Sequence, residues 1–267
     1  MTEQIAKIAF LSHGGGPLPL LGDPAHQEMV TNLQSLAEEL PEPEAIVVFS
    51  AHWEESEVSI VSSSKPSLYY DYYGFPEESY HIQYPVAGNP QLATKIQSQL
   101  APKKIDCHME DNRGLDHGVF VPLKIMYPEA NIPTIQVSLL NGLDPEEHLK
   151  LGRALRSLLS ENILIIGSGF SFHNLKAFFS ASDQQSRLLN ESFDQWLTET
   201  CMSASLHEFE RAERLLEWKN APGAMYCHPR EEHLMPLHVC YGLAQRAADK
   251  RLSFEVMGKK ASCFVWS

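Results

Sequence analysis

The stretch Ala45–Trp53, AIVVFSAHW, decides how the rest of the chain is read. Apolar residues follow one another without polar alternation and are rich in Val and Ile, which is the pattern of a short strand buried on both faces. Ser50, Ala51 and His52 follow at its expected carboxyl end. In open α/β sheets the ligand crevice lies beyond the carboxyl ends of the strands. A histidine delivered there by a rigid strand is placed to hold a metal or move a proton. The pattern recurs in IAFLSHG, which carries His13, and in NILIIGSGFSFH, which runs on to His173.

Outward from these strands the chain alternates. Residues 5–11 predict the first strand, and the glycines and prolines of SHGGGPLPLLGDP predict a loop without regular structure. Ala25–Leu40 has apolar residues at helical spacing, and Val58–Val61 alternates like a strand. A tyrosine-dense irregular stretch, YYDYYGFPEESYHIQYP, follows. Pro90–Leu100 reads as a helix, DCHMEDNRGLDHG as a turn-rich loop that includes His117, and Pro122–Met126 as the start of a helix. Thr134–Leu140 reads as a buried strand. Asp144 and Pro145 give an N-cap followed by proline at the first helical position, opening a helix through about Ser160. A strand at Ile163–Ile166 comes next, then amphipathic helix over Gln184–Trp218 with a break near Met202. The tail predicts a loop, a helix over Leu234–Ala248 and a last strand over Ser262–Trp266. The expectation is one α/β layered domain over residues 1–267, with a mostly parallel central sheet flanked by helices.

A net charge of −13 from 21 basic and 34 acidic residues opposes binding to nucleic-acid phosphates or anionic membranes. No apolar run approaches the ~18 residues of a membrane span. The start, MTEQIAKIAF, reads as a polar lead-in to a strand rather than a signal peptide. Five scattered cysteines without a CxxC pair point to reduced thiols in a cytoplasm.

Twelve histidines are the unusual feature. A lone histidine is more often a hydrogen-bonded structural residue than a ligand, so single positions carry little weight. The shared placement of His13, His52 and His173 after apolar strands carries more, because a parallel sheet brings those ends to one edge. Convergent imidazoles suit a divalent transition metal, and two histidines plus one further ligand leave positions for substrate. His233 and His238 are five apart and do not share a helical face; His233, at a loop-to-helix entry, is the better ligand candidate. His228 and His238 read as structural or supporting residues, and Glu231 and Glu232 as a solvated charged turn. The tyrosines between Tyr69 and Tyr84 fit a packed surface loop as well as a substrate wall.

Taken together, SHGGGP, SAHW, YDYYGFPEESY with QYPVAGNP, GLDHGVFVPLKIMYPEANIP, IIGSGFSFHNL and HPREEHLMPLHV resemble the class III extradiol ring-cleaving dioxygenases, in their DOPA dioxygenase branch. The resemblance runs from His13 to His238 in order. It implies that His13, His52 and His233 bind the metal, that His173 is the acid/base histidine, and that His117 assists substrate and oxygen. It also implies that the DYYGFP region, with Tyr72, Tyr73 and Phe75, borders the substrate. The wider superfamily often supplies glutamate where this chain has His233; three neutral imidazoles accept Zn(II) as readily as the Fe(II) that oxygen chemistry needs. A catechol and O2 must both find room, so His173 is assigned to proton transfer, closing onto the metal as a fourth ligand only in a resting or zinc-filled site. Imidazole titrates near neutrality and suits that task.

The expected activity is therefore cleavage of a DOPA-like catechol ring by O2 at a histidine-bound metal. Its partners are small molecules, and association into homo-oligomers stays open. Two other classes compete: a zinc hydrolase, which the lack of an HExxH helix disfavours, and a non-enzymatic metal-binding regulator of the same fold.

Overall fold

The computed structural model describes residues 7–180 and 183–267. Ile5 and Ala6 of the expected first strand lie outside them. One sheet of eight strands runs through the molecule: β1 Ile8–Ser12, β2 Ala45–Glu55, β3 Val58–Val61, β4 Cys107–Glu110, β5 Thr134–Leu140, β6 Ile163–Gly169, β7 Lys250–Val256 and β8 Lys259–Trp266. Their order is β4-β3-β5-β2-β6-β1-β8-β7. The four central strands, β5, β2, β6 and β1, pair in parallel. The antiparallel pairings are β3 on β5, β8 on β1 and β7 on β8. The sheet is thus mixed, with the parallel centre that the apolar runs predict.

The nine α-helices of the described residues are α1 Gln27–Glu39, α2 Pro90–Leu100, α3 His117–Met126, α4 Pro145–Ala154, α5 Leu175–Phe178, α6 Gln184–Met202, α7 Glu208–Leu216, α8 Ala224–Cys227 and α9 Met235–Ala244. Alternate residues of each central strand face opposite layers, as the two-residue strand period demands. Ala45, Val47 and Phe49 of β2 pack into a core with α2, α4, α6 and α9. Ile46 and Val48 pack into a second core with α1, α3 and the tyrosine-rich loop. Phe10, Phe49 and Phe120 are fully buried, each contributing roughly 1.5–3 kcal/mol relative to exposure.

Several expectations are corrected here. β2 does not stop before His52 but continues to Glu55, because β5 keeps pairing with it beyond an irregularity between Phe49 and Glu54. The SHGGGPLPLLGDP loop contains one 3-10 turn, Leu18–Leu21, and its last residue opens a second, Pro24–His26, each with proline near its start. His117 opens α3 instead of lying in a loop, and Pro122 sits inside that helix. β4 and β7 are strands the sequence pattern does not announce: β4 has four residues and pairs with the distant β3, and β7 is an edge strand whose one partner is the hairpin strand β8. Asp144 caps α4 as expected, accepting from the backbone N–H groups of Glu146 and Glu147. Among the described residues no helix is long and apolar enough to cross a membrane.

Candidate active site

β6 lies between β1 and β2, and the carboxyl ends of all three meet at one edge. His13 directly follows β1, and its backbone N–H donates to the Gly169 carbonyl at 3.1 Å. His52 stands two residues past Ser50, where β2 leaves register with β5; such irregularities re-aim side chains. The turn before α9 is laid over the end of β6, since the Phe170 N–H donates to the His233 carbonyl at 3.0 Å. A Cβ at Gly169 would stand 2.1 Å from that carbonyl oxygen, so this position needs glycine. At Gly118 a Cβ would stand 2.4 Å from Ser50 Oγ, so glycine lets the first turn of α3, with His117, press against β2. His173 lies four residues beyond β6, its N–H donating to the Cys227 carbonyl at 2.9 Å.

These placements bring all five predicted histidines together. The His13 ring centroid is 4.8 Å from that of His52, 5.2 Å from His233 and 5.4 Å from His117. His52 and His117 are 3.9 Å apart, and His173 is stacked on His233 at 3.4 Å. The ligand atoms of His13, His52 and His233 all lie within 4.8 Å of one another. His13 and His233 are buried, whereas the side chains of His52 and His173 keep 21% and 19% exposure, so the cluster opens on their side.

The hydrogen bonds fix which nitrogens are free. The Ser168 hydroxyl gives its one proton to the Gly118 carbonyl, so it accepts from His13 Nδ1–H at 3.0 Å. His233 Nδ1–H donates to Glu232 Oε1 at 3.0 Å. Both rings therefore present an Nε2 lone pair. His13 Nε2 lies 3.0 Å from His52 Nε2, while His52 Nδ1 faces Asp71 Oδ2 at 3.6 Å. Burial first, then the neighbouring imidazoles, push the pKa values of His13 and His233 well below the ordinary value. For His52 burial and His117 do the same. The three are neutral, as metal ligands must be.

The remaining assignments divide. His117 Nδ1–H donates to Asp71 Oδ1 at 2.8 Å, and His173 Nδ1–H faces Glu232 Oε1 at 3.1 Å. The Tyr72 ring is 5.8 Å from that of His117, and Phe75 packs beside Tyr72 at 5.5 Å and against Gly16. Tyr73, expected at the substrate border, is 91% exposed and faces solvent. The reason is local: its neighbour Tyr72 is the residue turned inward, its hydroxyl donating to the Ser79 carbonyl at 2.6 Å. Glu232 is not the solvated residue expected but is 9% exposed, because two imidazoles and Arg230 surround its carboxylate. Glu231 does remain nearer the surface, paired with Lys219.

Sequence reasoning missed Asp71, Ser168 and His26. Asp71 had a signal, as the lone acid among four tyrosines; Ser168 had only its place between two close-packed glycines. His26 fastens the glycine loop, accepting at Nε2 from the Gly15 N–H at 3.0 Å while Nδ1–H donates to Asp23 at 2.5 Å.

The donor set fits a divalent transition metal. Two nitrogens bound at right angles about 2.1 Å from one ion stand roughly 3 Å apart, which is the His13–His52 separation. Without an ion, His52 Nε2–H would have to donate to His13, turning its Nδ1 lone pair toward the Asp71 carboxylate. With an ion, every nitrogen has a suitable partner.

Comparison with known proteins agrees. The family described as the catalytic LigB subunit of aromatic ring-opening dioxygenase matches residues 7–265. The dioxygenase TasH of Hapsidospora irregularis is 39% identical, the alignment covering 98% of this chain and 86% of that protein. The 4,5-DOPA dioxygenase extradiol of Beta vulgaris is 37% identical, with 91% and 88% covered. The crystal structure of an uncharacterized Escherichia coli K12 protein superposes with a TM-score of 0.78 at 26% identity, covering 99% of this chain and 100% of that one. The chain belongs to the LigB family of aromatic ring-opening dioxygenases and is an extradiol ring-cleaving dioxygenase.

Proposed function

We propose that the substrate is a DOPA-like catechol, that Fe(II) is the working metal and that Zn(II) is an inactive occupant of the same site. Relatives named 4,5-DOPA dioxygenase extradiol support the substrate class. The observation that carries the reading is the meeting of His13, His52 and His233, with two more imidazoles, His117 and His173, at its edges. The whole chain acts as one catalytic unit, and five free cysteines, four of them buried, suit a cytoplasmic setting.

In this reading His13, His52 and His233 hold the metal. When bound, it supplies Lewis acidity toward the diol and a place for O2 beside it. Glu232 only accepts hydrogen bonds, so His173 keeps its Nδ1 proton and works through Nε2, taking a proton from a diol hydroxyl and returning it later. His117, held at Nδ1 by Asp71, likewise presents Nε2 to a substrate hydroxyl. Tyr72 and Phe75 form the aromatic wall. The Tyr72 hydroxyl takes no part in proton transfer, since burial pushes its pKa up to about 12 and Ser79 occupies its proton.

The test is anaerobic loading with Fe(II), then a catechol panel with oxygen uptake and semialdehyde colour as readouts. Uptake with DOPA-like catechols, lost on zinc replacement, is the expected result. An Fe(II)-loaded protein that consumes no oxygen with any catechol would end this reading.

A further inference from the structure

Two carboxylates stand behind four of the five imidazoles, one on each side of the site. Glu232 Oε1 receives His233 Nδ1–H at 3.0 Å and His173 Nδ1–H at 3.1 Å, and these two rings lie stacked. Asp71 Oδ1 receives both the backbone N–H and the Nδ1–H of His117, at 3.0 and 2.8 Å, while its Oδ2 faces His52 Nδ1 at 3.6 Å. Glu232 therefore backs the ligand imidazole of His233 and the pocket imidazole of His173, whereas Asp71 backs the pocket imidazole of His117 and only approaches that of His52. We propose that Asp71 and Glu232 are the positioning residues of this centre, Glu232 holding ligand His233 together with its neighbour His173, and Asp71 holding the pocket histidine His117, each in one orientation. The inference rests on the reading of His13, His52 and His233 as ligands.

The physical reason is direct. A carboxylate behind an imidazole fixes its tautomer and its ring plane and makes the opposite nitrogen a better donor. Glu232 is itself anchored. Arg230 reaches its Oε2 at 3.3 Å and grips Glu54 with both arms of the guanidinium, at 2.7 and 2.6 Å. Glu54 lies two residues past His52, so this chain of contacts ties the His233 turn to β2. Asp71 comes from the opposite side, inside the tyrosine-rich loop, and fastens that loop to the start of α3. The two acids are not equivalent. Glu232 is at hydrogen-bond distance from both of its histidines, whereas Asp71 is close to His117 and farther from His52.

That asymmetry sets the test. Glu232→Gln and Asp71→Asn would be made in the full chain. Zn(II) and Co(II) affinity would be read by chelator competition, the Co(II) visible spectrum recorded, and kcat and KM measured at saturating Fe(II). Glu232→Gln is expected to weaken metal binding by roughly 10–100-fold, to shift the Co(II) spectrum and to lower kcat. Asp71→Asn is expected to lower kcat by about tenfold or more, while metal affinity stays within roughly threefold of the parent. Parent-like affinity, spectrum and kcat in both variants would overturn the proposal, as would a loss that merely follows the folded fraction. If Glu232→Gln does not fold, Glu232→Asp keeps the charge and withdraws the oxygen by one methylene; the same loss of affinity is expected, and none would count against the role. His13→Ala separates the two levels. Retained metal there defeats the ligand reading itself. Metal lost in His13→Ala but held normally by Glu232→Gln, with parent-like kcat in both acid variants, defeats only this inference.

Discussion

Two sets of histidines in this molecule are equally buried and differ in what their second nitrogen meets. His148 donates from Nδ1 to the Asp144 carbonyl at 2.7 Å and accepts at Nε2 from the Leu140 N–H at 3.2 Å. His238 has the Leu234 carbonyl 3.1 Å from Nδ1 and the Leu215 carbonyl 2.8 Å from Nε2. Both rings are closed off by backbone. His13 and His233 also use Nδ1 locally, but their Nε2 atoms face other imidazoles. Burial lowers the pKa in both sets, so neither burial nor pKa tells them apart. An unoccupied lone pair among other lone pairs does.

The largest effect that could break this contrast is expected from His13→Ala. Metal analysis of the purified variant should find the site empty, and full metal content would place His13 with the structural set. His173→Ala should leave anaerobic catechol binding intact and lower turnover by about two to four orders of magnitude. Unchanged turnover would remove it from the proton path.

On the structural side, His238→Leu deprives the Leu215 carbonyl of its partner and should cost about 1–3 kcal/mol in denaturant unfolding. Activity per metal-loaded molecule should stay at the parent level, and a selective loss of kcat would blur the distinction. Burial holds His228 at about 3 and His238 at about 4 in the folded chain. The unfolded chain binds these protons near the ordinary value of ~6.5. Above that pH their contribution is constant. As pH falls from ~6.5 toward the folded values, stability declines by up to about 1.4 kcal/mol per pH unit per group. His238→Leu should remove one proton from that acid dependence, measurable as a shallower slope of unfolding free energy against pH. The smallest effect is expected beside the structural set, where the Asp144 carbonyl that His148 uses is kept: Asp144→Ala removes the side-chain cap of α4 and should cost roughly 1 kcal/mol without altering turnover.

Much of the fold is legible in continuous apolar runs. Ala45–Phe49 and Ile163–Ile166 have no polar face to offer solvent, so a doubly covered parallel sheet is nearly the only place for them. β7 was less legible although KRLSFEV alternates, because a half-exposed edge strand depends on its hairpin partner β8. The start of α3 was hidden as well. Asp116 caps nothing there and instead accepts from the Ser50 hydroxyl at 2.7 Å, a contact 66 residues away.

The ordered chain of residues, with strand-end histidines spaced along it, determined the layered α/β sheet, the sheet edge at which those histidines gather and the family. Tertiary structure alone decided that Glu232 is buried, that Tyr72 turns inward while Tyr73 turns out, and that Asp71 stands behind His117. Apolar periodicity records which face of an element leaves water. Hydrogen-bond partners distant in sequence leave no periodic trace, and a polar side chain's role is set by the groups that surround it after folding.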